Sequence, residues 1–176
     1  MSDLYDQIVS QRGSLERLVA RIPGFGGYLD KAARRTADRM IRDFVADALQ
    51  QRIDRLAGIE RKLLDGGGLQ YMSETRSAKT KLQIFHDRVK AAAPGYSALD
   101  SAVKIGSAEM EKLYSFDEAQ IRYTDQLDEA LNALEQAAIT NSGVEDAIAA
   151  VAKAADEANE AFSLREDVLT NLGKSL

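Results

Sequence analysis

The residues that could do chemistry are few and scattered. His86 is the only histidine in 176 residues, and cysteine is absent. A Ser-His-Asp triad through His86 is formally open. However, His86 follows Phe85 on a regularly patterned helical stretch, and no Gly-x-Ser-x-Gly elbow occurs. A lone helical histidine is ordinarily a packing or surface residue. A ferritin-like di-metal centre needs two Glu-x-x-His pairs, and Gln83 stands where the glutamate of even one would be. Gly173-Lys174-Ser175 imitates the tail of a phosphate loop, but Val168 occupies the place of its first glycine and no strand precedes it. Gly24-Phe25-Gly26 fails as a dinucleotide fingerprint because Leu29 replaces the third glycine. The acidic pairs Glu109/Glu111, Asp128/Glu129 and Glu157/Glu160 have the spacing of solvated helix faces, not of a calcium loop. They could hold a divalent cation only weakly. The sequence therefore assigns no catalytic, cofactor or metal-binding residue, and the expectation is a protein that is not an enzyme.

One stretch departs from generic helix-forming sequence. In Ile22-Pro23-Gly24-Phe25-Gly26-Gly27-Tyr28, proline removes an N–H and three glycines open backbone angles closed to other residues. A helix should end near Arg21, and Asp30 is placed to cap the next. Two large rings, Phe25 and Tyr28, sit on this turn. Arg17 and Arg21 precede it; Lys31, Arg34 and Arg35 follow. Two readings stand. The rings plug the end of a helical bundle, as buried aromatics usually do. Alternatively, they form an exposed aromatic tip for a partner groove or membrane interface. On the second reading Phe25, Tyr28, Arg21, Lys31, Arg34 and Arg35 are the candidate interaction residues.

The elements that must position this turn are helices. Only two prolines interrupt the chain, and its composition favours helix. A first helix is expected over about Asp3–Arg21, weakened at Gly13. A second runs from about Lys31 to Leu64, with Asp38 and Arg42 paired at i,i+4 on its outer face, and stops at Gly66-Gly67-Gly68. A third spans about Gln70–Ala92, where Ala78, Leu82, Phe85, Val89 and Ala92 recur at alternating four and three residues. Pro94 stops it. A fourth starts at Ser97 with a Ser97-x-x-Asp100 capping pattern. Its stripe of Leu99, Val103, Gly106, Met110 and Leu113 changes phase to continue as Phe116, Gln120, Tyr123, Leu127, Ala130, Leu134 and Ala137. That slip, with Ser115-x-x-Glu118 resembling a cap, predicts a kink or a helix junction near Tyr114–Phe116. A fifth follows Asn141-Ser142-Gly143, capped by Ser142 with Glu145. No strand-like alternation and no repeat occur. The expected fold is all-α: one domain over 1–176, an elongated antiparallel bundle of about five helices with coiled-coil-like packing.

The pattern I-P-G-aromatic-x-G-Y followed by R-R-x-x-D-x-x-x-R resembles the opening of a group of small uncharacterised bacterial helical proteins. It is carried here by Ile22, Pro23, Gly24, Phe25, Gly27, Tyr28, Arg34, Arg35, Asp38 and Arg42. It covers about a fifth of the chain, and the resemblance implies no activity.

Charge narrows the partner classes. Net charge is −5, but residues 1–93 carry +5 and residues 94–176 carry −10. Halves of opposite sign attract in an antiparallel bundle. A pI near 5.0 argues against nucleic acid, whose binding domains are strongly basic. Met1-Ser2-Asp3-Leu4 does not open a signal peptide, and no apolar run approaches the ~18 residues of a membrane span. The expected setting is cytoplasmic, or peripheral at the inner face of the membrane. The leading functional expectation is a scaffold or adaptor working through a protein partner or self-association, with no cofactor. The alternatives are a membrane-surface protein that binds anionic lipid through its basic, aromatic N-terminal region, and a helical ligand binder or enzyme. Gln120 and Tyr123, polar groups on core-like positions, motivate the last.

Overall fold

A computed structural model describes residues 3–92 and 105–174. Among the described residues six α-helices follow one another: α1 (Asp3–Val9), α2 (Ser14–Arg21), α3 (Arg34–Asp65), α4 (Met72–Ala91), α5 (Ser107–Thr140) and α6 (Val144–Lys174). Short 3₁₀ turns, Lys31–Ala33 and Leu69–Tyr71, lead into α3 and α4. No strand occurs among the described residues, so the fold is all-α, helix packed on helix.

Ion pairs between helices give their directions. Lys79 donates to Glu60, and Arg165 to Asp117, so α3/α4 and α5/α6 are antiparallel pairs. Arg52 with Asp128 and Lys62 with Glu135 set α3 parallel to α5. Lys81 with Asp156 and Arg88 with Glu166 set α4 parallel to α6. The four long helices thus form a bundle ordered α3, α4, α6, α5 around its axis. The α3–α4 and α5–α6 turns lie at one end. At about 1.5 Å per residue the 34 residues of α5 span about 50 Å. The basic first half of the chain pairs largely with its own acidic second half.

The expected first helix is two. Gly13, at φ 71°, takes a left-handed conformation just before Ser14 and breaks it. The two pieces lie against α5, and α2 is tied alongside it by Arg17 to Glu118 and Arg21 to Asp125. Asp30 caps as expected: its carboxylate accepts from the Ala32 N–H at 3.0 Å. The Gly66 stop and the turn at 141–143 are also where the sequence put them, although α6 starts after Gly143 rather than from a Ser142 cap. The Ser97-x-x-Asp100 start lies outside the described residues.

No junction interrupts α5 at Tyr114–Phe116; the helix is continuous. The expected phase slip came from following Phe116 and Tyr123 in place of Asp117 and Thr124. With polar residues admitted, Met110, Leu113, Asp117, Gln120, Thr124, Leu127, Leu131 and Leu134 keep one unbroken alternation of three and four, and all are buried. Ser115 is mid-helix, its hydroxyl donating to the Glu111 carbonyl at 3.0 Å. Every residue from Leu113 to Ile121 is buried, because α1 and α2 cover the flank of α5 that faces away from the bundle.

Candidate functional site

The Ile22–Arg35 stretch is interior. Tyr28 is fully buried and Phe25 is 4 % exposed, so the exposed-tip arrangement of these rings is corrected by the structure. Tyr28 stacks on Tyr114 with centroids 5.4 Å apart and meets Phe25 edge-on at 6.0 Å. The Tyr28 N–H donates to the Tyr114 hydroxyl at 2.8 Å. This close approach requires Gly27: a Cβ there would lie 2.6 Å from the Tyr114 oxygen, and its φ of 78° disfavours any side chain. Gly27→Ala is therefore expected to lower the unfolding free energy by about 1–3 kcal/mol, from backbone strain and displacement of Tyr114. A urea titration giving an unchanged midpoint would contradict this close fit.

Around Tyr28 lies a layer of buried charge. Its hydroxyl donates to Asp117 Oδ2 at 2.6 Å. Arg165 Nε donates to Asp117 Oδ1 at 2.5 Å, and Arg165 Nη2 donates to Asp38 Oδ1 at 2.7 Å. Arg42 Nε donates to Asp38 Oδ2 at 2.8 Å, and Arg34 Nε donates to the Tyr28 carbonyl at 3.0 Å. Asp38 and Arg42 keep their i,i+4 pairing but are not on an outer face. They point inward because their third partner, Arg165, reaches them from α6.

Burial dominates the electrostatics of this layer. It pushes the Asp117 carboxyl up, a push that Arg165 and Tyr28 only partly offset. Asp38 is equally subject to desolvation, but Arg165 and Arg42 together overcome it and hold the group below the ordinary carboxylate value. The Tyr28 phenol is raised well above its usual value by burial and then by Asp117. Desolvation opposes the charge on Arg165, yet Asp117, Tyr28 and Asp38 outweigh it and strengthen its hold on the proton. The layer is not fully satisfied. The Gln120 amide and Arg165 Nη1 are buried without a hydrogen-bond partner among the described residues, and both line one narrow crevice with Ile41, Val45, Val89 and Phe162.

The other candidates are dispersed. Arg21 forms a two-pronged pair with Asp125 at 2.7 and 2.8 Å, on the surface. Arg34 is buried and Arg35 exposed, while the Lys31 side chain lies outside the described ones. The motif thus brings Phe25, Tyr28 and Arg34 together and leaves Arg21 and Arg35 apart. His86 is buried with Nδ1 2.9 Å from its neighbour Asp87. No group of three or more His, Cys, Asp or Glu able to hold a metal occurs among the described residues. No described helix is long and apolar enough to cross a membrane.

The opposite end of the bundle exposes large apolar side chains among charged ones. Leu64, Leu69 and Ile139, beside the two hairpin turns, are 48, 71 and 68 % exposed. Asp65, Glu74, Glu145 and Asp146 stand exposed around them with no ion pair among the described residues. Glu74, Glu145 and Asp146 sit in first turns, where they complement helix dipoles. Arg61 and Arg76 are the exposed cations of that end without an ion pair among the described residues, so the four unpaired carboxylates leave it acidic on balance.

Comparison with known proteins adds no relative: no protein-family model, no curated protein and no solved structure matches the chain.

Proposed function

We propose that the chain is a non-enzymatic helical scaffold or adaptor that engages a protein partner at its hairpin end. One observation carries the reading: Leu64, Leu69 and Ile139 are all exposed at the end where both turns lie, where the unpaired carboxylates outnumber the unpaired arginines four to two among the described residues. Large apolar side chains grouped on a surface mark interaction sites more often than singly scattered ones do. This acidic excess selects the chemistry of the partner, an apolar ridge flanked by lysine or arginine, because like charge would be repelled. The N-terminal basic cluster offers less to an anionic lipid, since Arg21 and Arg34 are engaged within the chain.

The double variant Leu69→Ser, Ile139→Ser tests this. Both residues are exposed, so unfolding free energy should move by no more than about 0.5 kcal/mol per site. A photo-crosslinker at position 65, in cells of the source, should give a discrete protein adduct with the parent chain and none with the double variant. Adduct formation unaffected by the double substitution, or no adduct at position 65, would refute the hairpin end as the docking surface.

A further inference from the structure

The break between α1 and α2, far from the hairpin end, joins two pieces of one apolar stripe. Leu4, Ile8, Leu15, Leu18 and Ile22 follow at steps of four, seven, three and four. At about 100° per residue they stay on one side of a single helix, and Gly13 falls on the opposite side. Residues 3–21 thus have the pattern of one continuous amphipathic helix, yet they fold as a hairpin. Gln11 and Ser14 both reach Ser115, at 3.5 and 3.4 Å, while the Tyr5 ring turns back to lie 5.5 Å from Phe116. The turn, residues 10–13, is exposed throughout, and Gly13 is its one left-handed residue.

α1 is held more lightly than α2. Two ion pairs fix α2 to α5, Arg17 with Glu118 and Arg21 with Asp125. The charged residues of α1, Asp3 and Asp6, are exposed and make no ion pair among the described residues. Yet α1 covers apolar surface that needs a cover, since Phe116, beneath Tyr5, is fully buried. Among the described residues there is room for straightening: a groove of about 900 Å³ borders the turn beside Leu15, Leu29, Met110 and Tyr114. In a straight helix the carbonyls of Ile8, Val9 and Ser10 would accept from the N–H groups of Arg12, Gly13 and Ser14, bonds absent from the hairpin.

We propose that α1 exchanges between two copies of this chain. Straightening at Gly13 lifts α1 from its own α5 and lays it on the same site of a second copy, whose α1 returns to the first. The fold itself defines the occupant, because each copy already seats this helix there. The contacts beneath α1 are kept in the exchange, so the hinge and the concentration set the balance between monomer and dimer.

Gly13→Ala tests this by gel filtration with light scattering on the full chain. Alanine disfavours the left-handed turn and favours helix. Each of the two hinges should shift about tenfold, so the dimer dissociation constant should fall about a hundredfold. A Cβ at Gly13 meets only the ends of the Arg17 and Glu16 side chains, at 3.5 and 3.6 Å, so the change reports the hinge rather than a clash. Gly13→Asn, which tolerates the left-handed conformation, should behave as the parent chain does. In a dimer mixed from ¹³C-labelled and unlabelled protein, the nuclear Overhauser contact between Tyr5 and Phe116 should be intermolecular. A folded Gly13→Ala protein that stays monomeric at millimolar concentration would overturn the exchange; should that variant not fold, a parent chain that stays monomeric there would do the same. So would a dimer whose Tyr5–Phe116 contact is intramolecular, or Gly13→Asn dimerising as tightly as Gly13→Ala.

Discussion

Arg165→Ala is expected to lower the unfolding free energy by about 3–5 kcal/mol. Arg165 is 1 % exposed and holds two carboxylates that are themselves sealed from water, Asp38 and Asp117. Removing it leaves Asp38 with Arg42 alone and Asp117 with the Tyr28 hydroxyl alone. Asp117, already raised by burial, must then ionise unaided or take up a proton. Since a typical domain is stable by about 5–15 kcal/mol, this loss brings the protein near the threshold of folding. The interaction is costly to break without being a net source of stability. Burying three charges carries a large desolvation penalty, and Arg165 Nη1 and the Gln120 amide remain unsatisfied. Replacing Arg165 and Asp117 together, Arg165→Met with Asp117→Asn, leaves Asp38 paired with Arg42 and should therefore recover part of the single-variant loss. Urea unfolding of the three proteins measures it. A loss below about 1 kcal/mol for Arg165→Ala would show that the layer is hydrated.

Tyr28→Ala is expected to cost about 3–5 kcal/mol, and Tyr28→Phe about 1–3 kcal/mol. The alanine variant removes a fully buried ring that stacks on Tyr114 and packs on Phe25, leaving a cavity. The phenylalanine variant keeps the ring and deletes the hydroxyl's bond to Asp117 and the longer one it accepts from Arg165 Nη2 at 3.4 Å. Comparing the two separates packing from hydrogen bonding. Phe25→Ala adds a similar packing loss, since Phe25 is also buried. Tyr28 and Arg165 share Asp117, so their substitutions should not add; a double-mutant cycle should show coupling of about 0.5–3 kcal/mol. Thermal melting of Tyr28→Ala indistinguishable from the parent chain would place the ring outside the core.

Much of the fold was legible, and the limits have physical causes. The alternation at Ala78, Leu82, Phe85 and Val89 gave α4, all four being buried. Gly66-Gly67-Gly68 and Asn141-Ser142-Gly143 gave the two hairpin turns, and Asp30 gave its cap. The motif stretch was recognisable as the place where local helix chemistry stops. What lay hidden was the destination of its charges. Arg34, Asp38 and Arg42 recur at four-residue spacing, a pattern shared by solvated helix faces, and only tertiary contact with Arg165 turns them inward. A signal was present. Arg165 falls at the apolar step between Phe162 and Leu169, and Asp117 at the step between Leu113 and Gln120. A charged residue exactly where the stripe calls for an apolar one marks a buried ion pair, but reading it requires two such misfits to be seen as each other's partners. The burial of α5 on all sides between Leu113 and Ile121 was equally invisible, because a helix covered by two layers loses the one-sided stripe on which periodicity depends.

The central claim is that the Ile22–Arg35 turn is a sealed part of the core, pinned through Tyr28. Native-state hydrogen exchange at the Tyr28 amide tests it most directly. That N–H donates to the buried Tyr114 hydroxyl, so it should exchange only through global opening, with a free energy equal to that of the α5 amides around Leu127. Exchange of the Tyr28 amide at the rate of an exposed loop, while α5 stays protected, would contradict the claim.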